Sequence, residues 1–335
     1  MRRAFVLAAA IATSTLLLAC GGDDDDTEDA GGTPNAFPTT HDPARNIPED
    51  LRNKINVVIA GSDWFVGENN FVFGITDLND QPQGGAEAVA TFYDIRDQAN
   101  PVPYVTVPAV QSAPGVGEIV EHTHAGGEVH LHGGQDDNRV GYYVTVDFPH
   151  PGPWGLAIEA TLKDGTRGIT SVGFQVFEAP NMPAPGQAAY LSDNLTKDDV
   201  EDIAEIDSGV PPNDMHDVKI KDAIEAGRPL VIVFSTPAFC TSRFCGPVNE
   251  EVEALHDRFK EEVDFVHIEV WRNFNRQQMN PTAREWLIWP DGSLREPIVY
   301  VVDKEGTIFD RWEGPVAANI MEASVAAVAE GATYQ

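Results

Sequence analysis

Leu230-Val-Ile-Val-Phe234 runs through Ser-Thr-Pro-Ala-Phe to Cys240, and Thr-Ser-Arg-Phe carries the chain on to Cys245. Five consecutive apolar residues, rich in β-branched types, predict a buried strand. Beyond the cysteines, Val248, Val252, Leu255, Phe259 and Val263 recur at spacings of four, three, four and four, which is one face of a helix. The cysteines therefore stand at a strand-to-helix junction. A helix N-terminus lowers a thiol's pKa, and the thiolate is the nucleophile. Thiol chemistry, a structural disulfide and a metal-only pair all remain open for such a pair. In a regular helix, residues five apart lie about 9 Å from each other, too far to bond. Cys240 is therefore expected in the loop and Cys245 in the first turns of the helix.

Working outward, strands and helices alternate. Val218 to Ala226 reads as a short helix stopped by Gly227, Val263 to Val270 as a strand, and Thr282 to Ile288 as a short helix. Ile298 to Val302 and Thr307 to Trp312 form a hairpin across Asp303-Lys-Glu-Gly306, and Ala317 to Ala329 closes the chain as a helix. The order is α-β-α-β-α-β-β-α, an α/β pattern. Before it, residues 179–212 read as a linker rich in Pro, Gly, Ala and Asp. Earlier still, strand-like runs recur between turn signals: 55–59, 71–75, 88–93, 104–107, 142–148, 156–162 and 169–177. They predict an all-β sandwich over residues 51–178.

The N-terminus reads as a targeting segment. Arg2 and Arg3 precede the apolar stretch Ala4 to Leu18, too short to span a bilayer comfortably, and Leu17-Leu-Ala-Cys20 is followed by two glycines. This resembles a bacterial lipobox, which implies signal peptide 1–20, lipidation at Cys20 and an extracytoplasmic, membrane-anchored protein. A diacylated cysteine supplies two chains, enough for stable anchoring. Residues 21–50, with Asp23 to Asp26, read as a disordered tether. The chain has 22 basic and 53 acidic residues, a net charge of −31. Nucleic acid and anionic lipid headgroups are repelled by it.

Four of the nine histidines fall in Glu121-His-Thr-His-Ala-Gly-Gly-Glu-Val-His-Leu-His132. Each His-x-His pair shares a strand face. A three-residue loop would pair His124 with His130 and His122 with His132 on one face, whereas a two-residue Gly-Gly loop would split them. Imidazole suits copper or zinc, so His122, His124, His130 and His132 are candidate ligands. A solvated loop without metal is the alternative.

The order of elements and the placement of the cysteines resemble the thioredoxin-like superfamily over residues 213–335. Pro297, directly before Ile298-Val-Tyr-Val-Val-Asp303, and the stretch Val301-Val-Asp-Lys-Glu-Gly-Thr-Ile308 resemble its TlpA-like branch, as does Gly314 after Trp312. The upstream strands, with Pro151-Gly-Pro-Trp-Gly, resemble Ig-like sandwiches. The resemblance implies a thiol–disulfide oxidoreductase acting on protein substrates. Cys240 would be nucleophile, Cys245 resolving thiol, and Pro297, expected cis, would present the substrate strand. No cofactor is required by that reading. Three features depart from the pattern. Four residues rather than two separate the cysteines, Phe239 replaces the usual Trp, and Val233 stands where a carboxylate is often buried. A copper- or zinc-binding lipoprotein or Sco-like metallochaperone is the alternative, with His216, His256 and His267 as possible distal ligands. A Q-type peroxiredoxin fits less well, because Pro237 and Pro297 stand where that family needs a hydroxyl and an arginine.

Overall fold

The computed structural model describes residues 48–115, 120–123, 129–132, 140–240 and 244–335, and these belong to one compact unit. Cys20, nearly all of the acidic tether, His124 and Arg243 lie outside the described residues. The first strands are β1 (Asn56–Ile59), β2 (Gly67–Thr76), β3 (Glu87–Asp94), β4 (Val102–Pro108) and β5 (Val110–Ser112). Then come β6 (Val120–Thr123), β7 (Val129–His132), β8 (Gly141–Phe148), β9 (Gly152–Thr161) and β10 (Arg167–Val176). Two antiparallel sheets, ordered β1-β2-β8-β5 and β10-β9-β3-β4, share one core. Alternation builds it: Ala88, Ala90 and Phe92 of β3 and Trp154, Leu156, Ile158 and Ala160 of β9 point to the same interior. Phe92, Phe148 and Trp154 are fully enclosed there, each contributing roughly 2–3 kcal/mol by burial.

The remaining elements are α1 (Ile220–Glu225), β11 (Leu230–Ser235), α2 (Cys245–Phe259), β12 (Asp264–Glu269), β13 (Trp271–Asn273), β14 (Gln278–Met279), α3 (Pro281–Leu287), β15 (Ile298–Val302), β16 (Ile308–Glu313) and α4 (Ala318–Ala329). A third sheet is ordered β12-β11-β15-β16. Every residue of β11 and β15 is buried, because cores form on both faces. Leu230, Ile232 and Phe234 meet Trp286 of α3 on one side, while Val231 and Val233 meet Val248 and Val252 of α2 on the other.

The expected fold class, with an α/β thioredoxin-like fold after the strands, is overturned. Strand accounts for 37% of the described residues and helix for 20%, so the class is β-rich with few helices. Helix–strand alternation in the sequence overstates the helices. Gly227 stops α1 after six residues, and α3, opened by Pro281, has seven. In the third sheet β11 and β12 run parallel, while β11–β15 and β15–β16 are antiparallel.

The third sheet is joined to the first two by buried polar contacts. Arg311 Nη1 donates to Asp63 Oδ2 at 2.9 Å and to Pro183 O at 3.0 Å, while Arg311 Nη2 donates to Asp63 O at 2.8 Å. Asp63 also accepts from the backbone of Asn181 and Met182. At Gly314, with φ +87°, a Cβ would stand 2.9 Å from Ala60 O, so only glycine allows this approach.

Candidate functional site

β11 delivers the chain from the middle of the third sheet into a tight turn. Phe239 N and Cys240 N both donate to Thr236 O, at 3.2 and 3.0 Å, and Ala238 N donates to Ser208 Oγ at 3.1 Å. Cys240 lies in this loop, partly exposed, and Cys245 is the fully buried first residue of α2. The two are disulfide-bonded with Cα atoms 6.0 Å apart. The N-cap residue, Phe244, offers no side-chain acceptor to the first turn, and no acidic residue lies in that turn. The positive end of α2 therefore faces the sulfurs with no acidic residue in its first turn.

A carboxylate that sequence reasoning did not find completes the site. The Glu296–Pro297 peptide bond is cis. A Glu296 carboxylate oxygen and both sulfurs lie within 4.8 Å of one another. Glu296 Oε2 is buried without a hydrogen-bond partner. Burial, helped by the negative charge of Glu269, pushes the Glu296 carboxyl from 4.5 up to about 7. A carboxyl group poised near neutrality beside a disulfide can take or give the proton that exchange requires. Val233 on β11 supplies no carboxylate, and this one arrives instead from the loop before β15. Its only sequence mark is its place directly before Pro297.

A cleft of about 340 Å³ opens beside Glu296, lined by Phe239, Trp271, Phe274, Leu294 and Arg295 among others. Phe239 and Phe274 stack at 4.7 Å, nearly parallel, and Trp271 meets Phe274 edge-on. Neither cleft is lined by a cysteine, but the larger one, about 490 Å³ and lined by Trp64, Glu68, Asn70, Asp310 and Tyr334 among others, also lacks Glu296 and Phe239. Glu296, which stands beside the sulfurs, and Phe239, next to Cys240, make the smaller cleft the relevant one.

Beneath the loop lies a second cluster, Asp207, His216 and His267, all buried. His216 Nε2 donates to Asp207 Oδ2 at 3.0 Å. Asn213 Oδ1 accepts from Met215 N, so its Nδ2 donates to His267 Nδ1 at 2.8 Å. Ser235 Oγ donates to Asn249 Oδ1 at 2.5 Å and accepts from His267 Nε2 at 3.0 Å. Burial holds His216 below its ordinary value despite Asp207. Burial opposes ionisation of Asp207, yet the two imidazoles outweigh it and hold the carboxyl well below its usual range. The Ser–His–Asp order is no hydrolytic triad: Ser235 is fully enclosed and its proton is directed at Asn249.

The other expected ligands are placed differently. β6 and β7 pair His122 with His130 and Val120 with His132, so neither anticipated register occurs. His256 packs edge-on against Phe265. Among the described residues, the ligand group that contains the cysteines includes Glu296 and no histidine.

No protein-family model matches the chain, and no curated protein matches it. Among solved structures, the PmoD soluble domain from Methylocystis sp. ATCC 49242 (Rockwell) is similar at 10% identity and TM-score 0.22, covering 36% of this chain and 90% of that one. A superoxide reductase (neelaredoxin) from Ignicoccus hospitalis is similar at 9% identity and TM-score 0.20, covering 37% and 80%. Likeness at this level carries no argument about fold or function.

Proposed function

We propose that the protein is an extracytoplasmic, lipid-anchored thiol–disulfide oxidoreductase acting on protein substrates. One observation carries the reading: a disulfide with one accessible and one buried sulfur, at a helix N-terminus, has a buried, unpartnered carboxylate beside it. In the reduced protein, the Cys240 thiolate attacks a substrate disulfide. A mixed disulfide forms, and one substrate sulfur leaves and takes up a proton. Cys245 then loses its proton to Glu296 and attacks Cys240 Sγ. The second substrate sulfur leaves and is protonated, so one substrate disulfide becomes two thiols while Cys240 and Cys245 become a disulfide. Run backwards, the same steps oxidise a substrate dithiol. Pro297 and the aromatic cleft would receive the substrate segment. Anchoring rests on the lipobox at Cys20; among the described residues no helix is long and apolar enough to cross a membrane.

Trapping tests this mechanism. Cys245→Ser should accumulate mixed disulfides through Cys240, and Cys240→Ser should accumulate none. Trapping by Cys240→Ser alone would overturn the roles.

A second reading uses the same geometry. Once reduced, the two cysteines and Glu296 would offer three donors to copper or zinc. Metal bound by the reduced wild type and absent from Cys240→Ser would favour this reading.

A further inference from the structure

We propose that Asp207, His216 and His267 form a zinc-type divalent metal site, separate from the cysteines. The three residues come from distant parts of the chain: Asp207 and His216 from the segment before α1, His267 from β12. Their ligand atoms lie within 4.8 Å of one another and all three residues are buried. Asp207 Oδ2 is 3.0 Å from His216 Nε2 and 3.6 Å from His267 Nδ1. Ligands on a tetrahedral zinc ion, at bond lengths of about 2.0–2.1 Å, stand about 3.3 Å apart. The observed separations straddle that value. A small shift of Asp207 would equalise them.

The surroundings also suit a metal. The far nitrogen of His267, Nε2, is held by Ser235 Oγ, which is itself fixed by Asn249. Such an outer contact sets ring orientation and leaves Nδ1 as the ligating atom. Asp207 Oδ1 accepts from Gly209 N at 2.7 Å and Oδ2 from Asn213 N at 2.8 Å, which fixes the carboxylate with Oδ2 beside both imidazoles. Two contacts would yield on binding. The proton on His216 Nε2 that now points at Asp207 would be displaced, as metal ligation requires. Asn213 Nδ2, now on His267 Nδ1, would swing aside; Asn213 thus competes with the metal for that lone pair. The ion would tie the 207–216 segment to β12. Ser208 next to Asp207 holds Ala238, so the site would also brace the turn that carries Cys240.

Cobalt(II) and zinc(II) are the probes, added to the full chain with its disulfide intact so that thiolates are not available. One cobalt per chain should bind with visible d–d bands and no sulfur charge-transfer band. Binding should persist when His122, His124, His130 and His132 are all replaced by alanine. His216→Ala and His267→Ala should each weaken it at least about tenfold. Zinc should raise the wild-type Tm, and EDTA should reverse the rise. If either histidine variant fails to fold, Asn213→Ala serves instead, and it should bind more tightly than wild type. Loss of all metal with the four hairpin histidines would overturn the proposal. So would equal binding by wild type and His216→Ala, or a Tm indifferent to zinc together with unchanged affinity in Asn213→Ala.

Discussion

Replacing Glu296 by glutamine should stabilise the protein, but only above acid pH. In the folded chain the Glu296 carboxyl titrates at about 7 against an ordinary 4.5, chiefly because it is buried. At about 1.4 kcal/mol per pH unit, that difference is worth roughly 3 kcal/mol. The residue is only partly buried, and solvent screening reduces the expected effect to about 2 kcal/mol. The sign follows from proton counts. Below pH 4.5 the carboxyl is neutral in both states and no penalty exists. Between pH 4.5 and about 7 the unfolded chain ionises while the folded chain stays protonated, so stability falls as pH rises. Glutamine never ionises. Urea unfolding of both oxidised proteins at pH 4, 6 and 8 measures the effect, since other titrating groups cancel in the difference. The variant should gain on wild type progressively and lead by about 2 kcal/mol at pH 8. A pH-independent difference, or a less stable variant at pH 8, would refute the placement of this carboxylate in a desolvated site.

Two further outcomes are expected. Cys240→Ser with Cys245→Ser opens a short loop, its ends at a sequence separation of 5, and should cost about 2 kcal/mol, read as a lower urea midpoint than the oxidised wild type. Arg311→Met leaves Asp63 buried without its cation and should cost about 3–5 kcal/mol; a cost below about 1 kcal/mol would show that the backbone amides around Asp63 suffice.

Local pattern was legible where one face or both faces of an element are buried. The run 230–234 is the core of β11, and Val248, Val252 and Leu255 are the buried face of α2. The seven strand-like runs correspond to β1, β2, β3, β4, β8, β9 and β10, whereas β5 has only three residues and too little periodicity to detect. The loop position of Cys240 and the helical position of Cys245 followed from helix geometry alone. Fold class was misread because short helices and long ones share a period. The site's other members left no local trace. Glu296 meets the sulfurs through the turn before β15, and Asp207 meets His267 across 60 residues of chain; neither lies in a spacing that a linear reading can weigh.

The Asp63–Arg311 contact also bears on how the chain acquires its structure during synthesis. The two residues are 248 apart in sequence, so the strands around Asp63 emerge long before their cation does. Early folding can close the first two sheets, whose ladders need nothing beyond β10. It cannot dehydrate Asp63 until β16 arrives. Until then Asp63 has no cation to pair with, and that corner awaits the late hairpin. Contacts of such span slow folding, because loop closure must precede the reward. A chain folded only as far as β10 would leave that seam, the future junction of the three sheets, open to water.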